Sequence, residues 1–287
     1  MANLKEIRNR IASVSSTMQI TSAMKMVSAA KLKKAQDAIT AMRPYADKLT
    51  ELLIGLSASL DDDNGSAFSQ QRPENRILLV PITSNRGLCG AFNSNIIKQV
   101  NNLVAEQFEG KQVDLLCIGK KGNDVLSKKL EVVANHSELY DNLTFDTVEA
   151  VAEEMMEAFE SEKYDSIYLV YNKFKNAATQ IVMTEKFLPL VQENEGQDQA
   201  PMDYLFEPSE AEIVEQLIPK ALKTQLFKAI RDSFASEHGA RMTAMHKATD
   251  NASELRSQLK LTYNKARQAA ITGEILEIVG GAEALND

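Results

Sequence analysis

Apolar residues near the start of the chain recur in alternating steps of three and four: Leu4, Ile7, Ile11, Val14 and Met18. That spacing is the a/d seam of a helix that pairs with another helix. A second seam, Ala35, Ala38, Met42, Tyr45, Leu49, Leu52 and Leu56, alternates in the same way but in a different phase. Steps of three from Thr21 to Met24 join the two, which reads as a stammer that overwinds the coil locally. Pro44 removes one backbone donor inside the second seam and is expected to bend the helix there. No glycine precedes Gly55. One helix over residues 3–57 would be about 80 Å long. That exceeds the width of a small core, so it needs a partner helix.

The far end of the chain supplies one. Pro208 and Ser209, followed by Glu210 and Glu212, mark a helix start. Beyond Pro219, where a kink is expected, the seam Ala252, Leu255, Leu259, Thr262, Ala266, Ala269, Gly273, Leu276 steps by threes and fours, with small residues that allow close approach. A helix over residues 209–285 would reach about 115 Å, so one end must project or enter something else. The pattern predicts an antiparallel hairpin of residues 1–57 and 208–287, with a domain inserted between its arms.

In that domain, residues 76–190, the pattern changes. Ile77–Thr83 and Val113–Ile118 are continuous apolar runs, as in strands buried on both faces. Ile96, Ile97, Val100, Leu103, Val104 and Phe108 recur between them at helical spacing. A Glu- and Met-rich helix, Thr147–Glu160, leads to a strand, Ser166–Tyr171, and Gln180–Met183 is an expected edge strand. Alternating strands and helices predict a small α/β sheet. The polar stretches Ser57–Asn75 and Gln192–Gln199 are expected to be mobile linkers.

Composition agrees with a helix-dominated chain: 287 residues contain 12 Gly, 11 Met, no Trp and 6% aromatics, which leaves an all-β fold unsupported. No apolar run approaches the length a membrane helix needs, and the opening MANLKEIRNR has no apolar signal core. Cys89 and Cys117 form no CxxC pair, so a reducing, cytosolic-side compartment is expected. The net charge of −8 is unevenly spread. Residues 1–48 hold nine Lys/Arg against three Asp/Glu, and residues 238–272 hold six against two. Two basic ends flank an acidic centre.

A search for chemistry yields little. Ser84-Asn85-Arg86-Gly87-Leu88-Cys89-Gly90 follows the first strand, where α/β proteins often bind dinucleotides, but it has neither GxGxxG nor a phosphate-loop GK[ST]. A tight strand-to-helix turn explains its glycines. Gly119-Lys120-Lys121-Gly122 reads as an ordinary turn. His136, His238 and His246 form no metal motif, and Asp61-Asp62-Asp63-Asn64-Gly65 lacks calcium-loop spacing. Glu153 and Glu154 are adjacent and face apart, unsuited to a catalytic pair. The basic runs lack interleaved aromatics, which argues against nucleic acid. No catalytic set, cofactor site or metal site is predicted.

Five segments are similar to the gamma-subunit family of the F-type ATP synthase: EIRNRIASVSST-QIT-AMKMVSAAKL, SNRGLCGAFN, DYLFEP, ASEHGARMTAMHKATDNA and TYNKARQAAITGEILEIVGGA. The resemblance runs nearly end to end. It implies an antiparallel coiled coil with an inserted Rossmann-like domain, acting as a rotor shaft that couples the membrane c ring to the alpha–beta hexamer. Partners would be three alpha and three beta subunits, epsilon and the c ring, with catalysis in the hexamer and membrane association only through the complex. Residue by residue, Met24 and Lys25 resemble positions facing a beta subunit's moving lever. Arg241, Arg267, Gln268 and Thr272 match positions on the face toward the hexamer. Tyr204, Phe206 and Glu207 resemble the foot near the c ring and epsilon, with Phe206 replacing the family's usual tyrosine and its hydroxyl. The chain lacks the cysteine-bearing insertion of the light-regulated chloroplast form and shows no transit peptide. Both favour a bacterial protein on the cytoplasmic face of the inner membrane. The alternatives are a coiled-coil adaptor whose α/β domain binds a nucleotide or a regulatory protein, and an α/β enzyme.

Overall fold

The computed structural model describes residues 4–57, 67–190 and 210–283. Helix α1 spans Leu4–Ser57 and helix α5 spans Glu210–Glu283; Pro44 and Pro219 lie inside them without ending either. Between them come β1 (Arg76–Pro81), α2 (Phe92–Asn102), β2 (Gln112–Cys117), α3 (Lys120–Leu126), β3 (Glu131–Asn135), α4 (Phe145–Glu160), β4 (Ser166–Phe174) and β5 (Gln180–Leu188). The chain divides into two compact units, Met1–Ser28 with Met242–Asp287, and Ala29–Arg241.

In the first unit the two long helices pair antiparallel. Arg8 Nη2 donates to Tyr263 Oη at 2.8 Å, Thr21 and Thr249 hydroxyls meet at 2.8 Å, and Lys25 Nζ reaches His246 Nδ1 at 3.2 Å. As the α1 position rises, its α5 partner falls. The register follows the predicted one from Leu4 to Met18 and departs from it beyond. Burial along α1 follows Leu4, Ile7, Ile11, Val14, Met18, Thr21, Lys25, Ser28, Leu32, Ala35, Ile39, Met42, Ala46, Leu49, an unbroken alternation of threes and fours. There is no stammer, because Thr21, Lys25 and Ser28 fill the seam positions that an apolar pattern leaves blank. Ile39 and Ala46 are buried where Ala38 and Tyr45 were expected, and Tyr45 is 50% exposed. On α5 the same correction holds: Arg256 and Tyr263 sit half-buried while Leu255 faces out.

The second unit contains a five-stranded sheet ordered β3-β2-β1-β4-β5, parallel except for β5, which runs antiparallel to β4. Alternate residues supply two faces. Ile77, Leu79, Leu115, Cys117 and Val170 pack with Ile96, Val100 and Phe108 of the α2 segment and Leu126 of α3. Leu78, Val80, Ile82, Leu116, Ile167 and Leu169 pack against Val151, Met155 and Phe159 of α4 and Leu222, Leu226 and Ile230 of α5. Helices on both faces of a mostly parallel sheet make a doubly wound α/β layer. Each fully buried aliphatic contributes about 1.5–3 kcal/mol. Thr144 caps α4 by accepting from Thr147 N.

Three local expectations change. Gly119-Lys120-Lys121-Gly122 is no ordinary turn but the start of α3. Gly119 has φ +102°, and a Cβ there would fall 2.0 Å from the Thr83 carbonyl oxygen. Strand β5 continues past Met183 to Leu188, because its polar residues have partners: Tyr171 Oη donates to Glu185 at 2.7 Å and Lys186 Nζ to Glu74 at 2.9 Å. The described part of the Ser57–Asn75 linker is held in place. Phe68 is buried, Arg72 donates to the Phe159 carbonyl at 3.1 Å, and Glu74 accepts from Ser166, Tyr168 and Lys186. Burial alone would raise the Glu74 carboxyl, yet those hydrogen bonds bring it down to about 2.

Candidate functional site

The strand order places the topological switch point between β1 and β4, the crevice where open α/β sheets bind ligands. The chain's own helix α5 fills it. Ser236 Oγ donates to the Asn172 carbonyl at 2.9 Å, just past the switch on β4, and Ser233 Oγ lies 3.5 Å from the Ile82 carbonyl at the end of β1. Ser233, Ser236 and Asn172 are fully buried. The loop after β1 is tied down as well. Asn93 Oδ1 accepts from Ser84 N at 2.9 Å, Asn85 Nδ2 donates to the Ser137 carbonyl at 2.7 Å, and Lys120 N donates to Asn85 Oδ1 at 3.0 Å. A dinucleotide would have to displace α5.

Around this crevice lies a buried polar cluster that sequence reasoning missed. Glu237 pairs with Arg241 one helical turn on, and both side chains are 9% exposed. Burial pushes the Glu237 carboxyl up, opposed by the Arg241 charge. His238, 5% exposed, stands edge-on to Phe234 with ring centroids 4.5 Å apart. Burial, then the charges of Arg241 and Lys31, hold its imidazole down to about 4. The sequence signal was four polar residues, Ser236, Glu237, His238 and Arg241, within two turns of one helix.

The predicted partner-facing residues fall into four groups. Met24 and Lys25 are half-buried in the coil, Lys25 held by His246, whose Nδ1 also lies 3.5 Å from Asp250 Oδ2. Arg267, Gln268 and Thr272 are exposed on α5. Arg241 is placed differently from the expectation: its guanidinium is buried and engaged by Glu237 and by the carbonyls of Arg86 and Gly87. Tyr204, Phe206 and Glu207 lie outside the described residues. Next to Thr272 the structure exposes an apolar stretch: Ile271, Ile275, Ile278 and Val279, with Leu276, which the predicted seam would have buried, are 44–70% exposed near the end of α5. The run ILEIV was the signal. No described helix is long and apolar enough to cross a membrane.

The family model for ATP synthase matches residues 3–285. The ATP synthase gamma chain of Flavobacterium johnsoniae is 70% identical over 286 residues, covering all of both chains, and that of Christiangramia forsetii is 63% identical over the same span. The chain belongs to the ATP synthase gamma chain family. Its fold is shared with a chain in the central stalk/c-ring structure of the Tetrahymena thermophila mitochondrial ATP synthase, 27% identical, TM-score 0.60, covering 80% of this chain and 99% of that one. A rotor chain of the Euglena gracilis mitochondrial enzyme superposes with TM-score 0.69 at 23% identity, covering 93% and 98%. The gamma chain is a non-catalytic subunit of the ATP synthase, and the long antiparallel helices with a central sheet are its fold.

Proposed function

We propose that the chain is the central-stalk rotor of an F-type ATP synthase, coupling rotation of the c ring to ATP synthesis and hydrolysis in a hexamer of three alpha and three beta subunits. The observation that carries this is 70% identity to an ATP synthase gamma chain over the whole length. The structure supports it physically. A coil with an unbroken seam is stiff in bending, and the exposed end of α5 offers an apolar surface to a partner. Met24, Lys25, Arg267, Gln268 and Thr272 are proposed to face the hexamer, and Tyr204, Phe206 and Glu207 to serve the c ring and epsilon. Arg241 is left out of the contact set because its guanidinium is buried and engaged by Glu237 and by the Arg86 and Gly87 carbonyls. The location is proposed to be the cytoplasmic face of a bacterial inner membrane, reached through the complex, with no nucleic-acid partner.

A nucleotide-binding adaptor fits less well, since α5 occupies the crevice such a ligand needs. Co-expression with alpha, beta and epsilon subunits tests the proposal. The expected result is one assembly with a single copy of this chain and ATPase activity absent from the chain alone. Failure to assemble, with stoichiometric nucleotide binding by the isolated chain in titration calorimetry, would reverse it.

A further inference from the structure

The loop after β1 holds an unusual conformation. Leu88 has φ 63°, the left-handed region that a branched side chain adopts at a cost of about 1–2 kcal/mol. It gains no burial in return, being 65% exposed. Something else must fix the backbone here. Within Arg86–Leu88 the carbonyls of Arg86 and Gly87 accept side-chain hydrogen bonds, and the donor common to both comes from far along the chain. Arg241 Nη2 donates to the Arg86 carbonyl at 3.0 Å and lies 3.3 Å from the Gly87 carbonyl. Its Nη1 is anchored on Glu237. Ser84 Oγ supplies a second donor to the Arg86 carbonyl at 2.7 Å. The preceding residue of α5, Ala240, packs with Cys89 and Phe92 at the other end of the loop. Two consecutive residues of α5 therefore grip both ends of the strained turn.

We propose that Arg241 is a positioning residue that sets the conformation of the Ser84–Gly90 loop, and that its effect on rotary coupling runs through this loop rather than through contact with a partner subunit. The inference rests on the central-stalk reading for its second half only. The first half concerns this chain alone. A guanidinium suits the task because its planar fork serves a carboxylate with one edge and backbone carbonyls with the other, which a lysine ammonium cannot do in the same geometry. Glu237 orients the fork and balances its charge in a buried place.

The loop carries its own reporter. Cys89 is 2% exposed within it, while Cys117 is fully buried in β2. Removing Arg241 alone would strand Glu237 as a buried charge, so the principal variant is the pair E237Q/R241Q. A milder one is S84A, which deletes one of the two further donors to the Arg86 carbonyl, the Cys89 thiol being the other. Maleimide labelling of the full-length chain, read peptide by peptide, should show Cys89 reacting about tenfold faster in the double variant, as local opening governs access to a buried thiol. Cys117 should stay at its native rate, S84A should shift Cys89 in the same direction by less, and R241K should fail to restore protection. In the assembled ATPase, proton pumping per ATP should fall in the order of Cys89 exposure. Cys89 staying protected while coupling falls would mean that Arg241 acts by direct contact, and the proposal fails. Cys117 opening together with Cys89 would reduce the pair to general stability and equally overturn it. Faster Cys89 labelling with coupling untouched would refute the functional half and leave the central-stalk reading standing.

Discussion

His238 is a buried imidazole whose two ring nitrogens have no hydrogen-bond partner among the described residues. Such a group is tolerated only while neutral, since charging it inside the fold adds a cation beside Arg241 and Lys31. The folded protein holds it at about 4, whereas an unfolded chain titrates near 6.5. Between those values the unfolded state binds the extra proton, so stability is complete above about pH 6.5 and declines as pH falls toward 4. The full decline is about 3 kcal/mol. Urea titrations of His238→Leu should show that this acid-dependent loss has gone, with neutral stability within about 1 kcal/mol of the native chain because no hydrogen bond is removed. An unchanged pH slope would mean the imidazole is charged or solvated in the fold. Nothing in the sequence distinguished His238 from His136 or His246; its burial in the fold made the difference.

At the scale of elements, the strongest periodic signals gave the right helices, with the register right from Leu4 to Met18 and partly misplaced beyond it. Both long helices were legible from three-four spacing, and so were β1, β2 and β4 from their apolar runs. The interleaved seam positions were misread because the coil uses polar side chains there. Thr21 and Thr249 satisfy each other, and Lys25 meets His246, so these positions carry no apolar mark. Tyr45 and Leu255 meanwhile are apolar and exposed, drawing the pattern one residue aside. Elements β3 and α3 escaped notice for other reasons: β3 alternates at a half-buried sheet edge, and α3 is a seven-residue helix opened by a glycine. The corrected register makes a sharp prediction. Ile39→Ala should cost about 2–4 kcal/mol, as Ile39 is 4% exposed. Tyr45→Ala should cost no more than about 0.5 kcal/mol. Equal losses in thermal or denaturant melts would restore the seam first inferred from the apolar pattern.

For the whole molecule, the resemblance to ATP synthase gamma chains was carried by long motifs and could be read from the sequence directly. What could not be read was that α5 would occupy the crevice of the doubly wound sheet. Ser233 and Ser236 look like ordinary helix residues until the fold sets them against the Ile82 and Asn172 carbonyls. The sheet thus becomes a support for α5, and the proposed working surface lies on the long helices. Arg267, Gln268 and Thr272 belong to that surface, and all three are exposed and off the seam. Replacing them with Ala should leave the chain's helicity and melting nearly unchanged, within about 0.5 kcal/mol for each residue. The most direct measurement is ATP-driven proton pumping by the reconstituted complex carrying that triple variant. The control carries Ala at three exposed sheet-domain residues, Lys128, Lys129 and Asn135. If the chain is a rotor working through this face, both complexes assemble, but pumping falls in the α5 variant and stays native in the control. Equal pumping in the two would contradict the account.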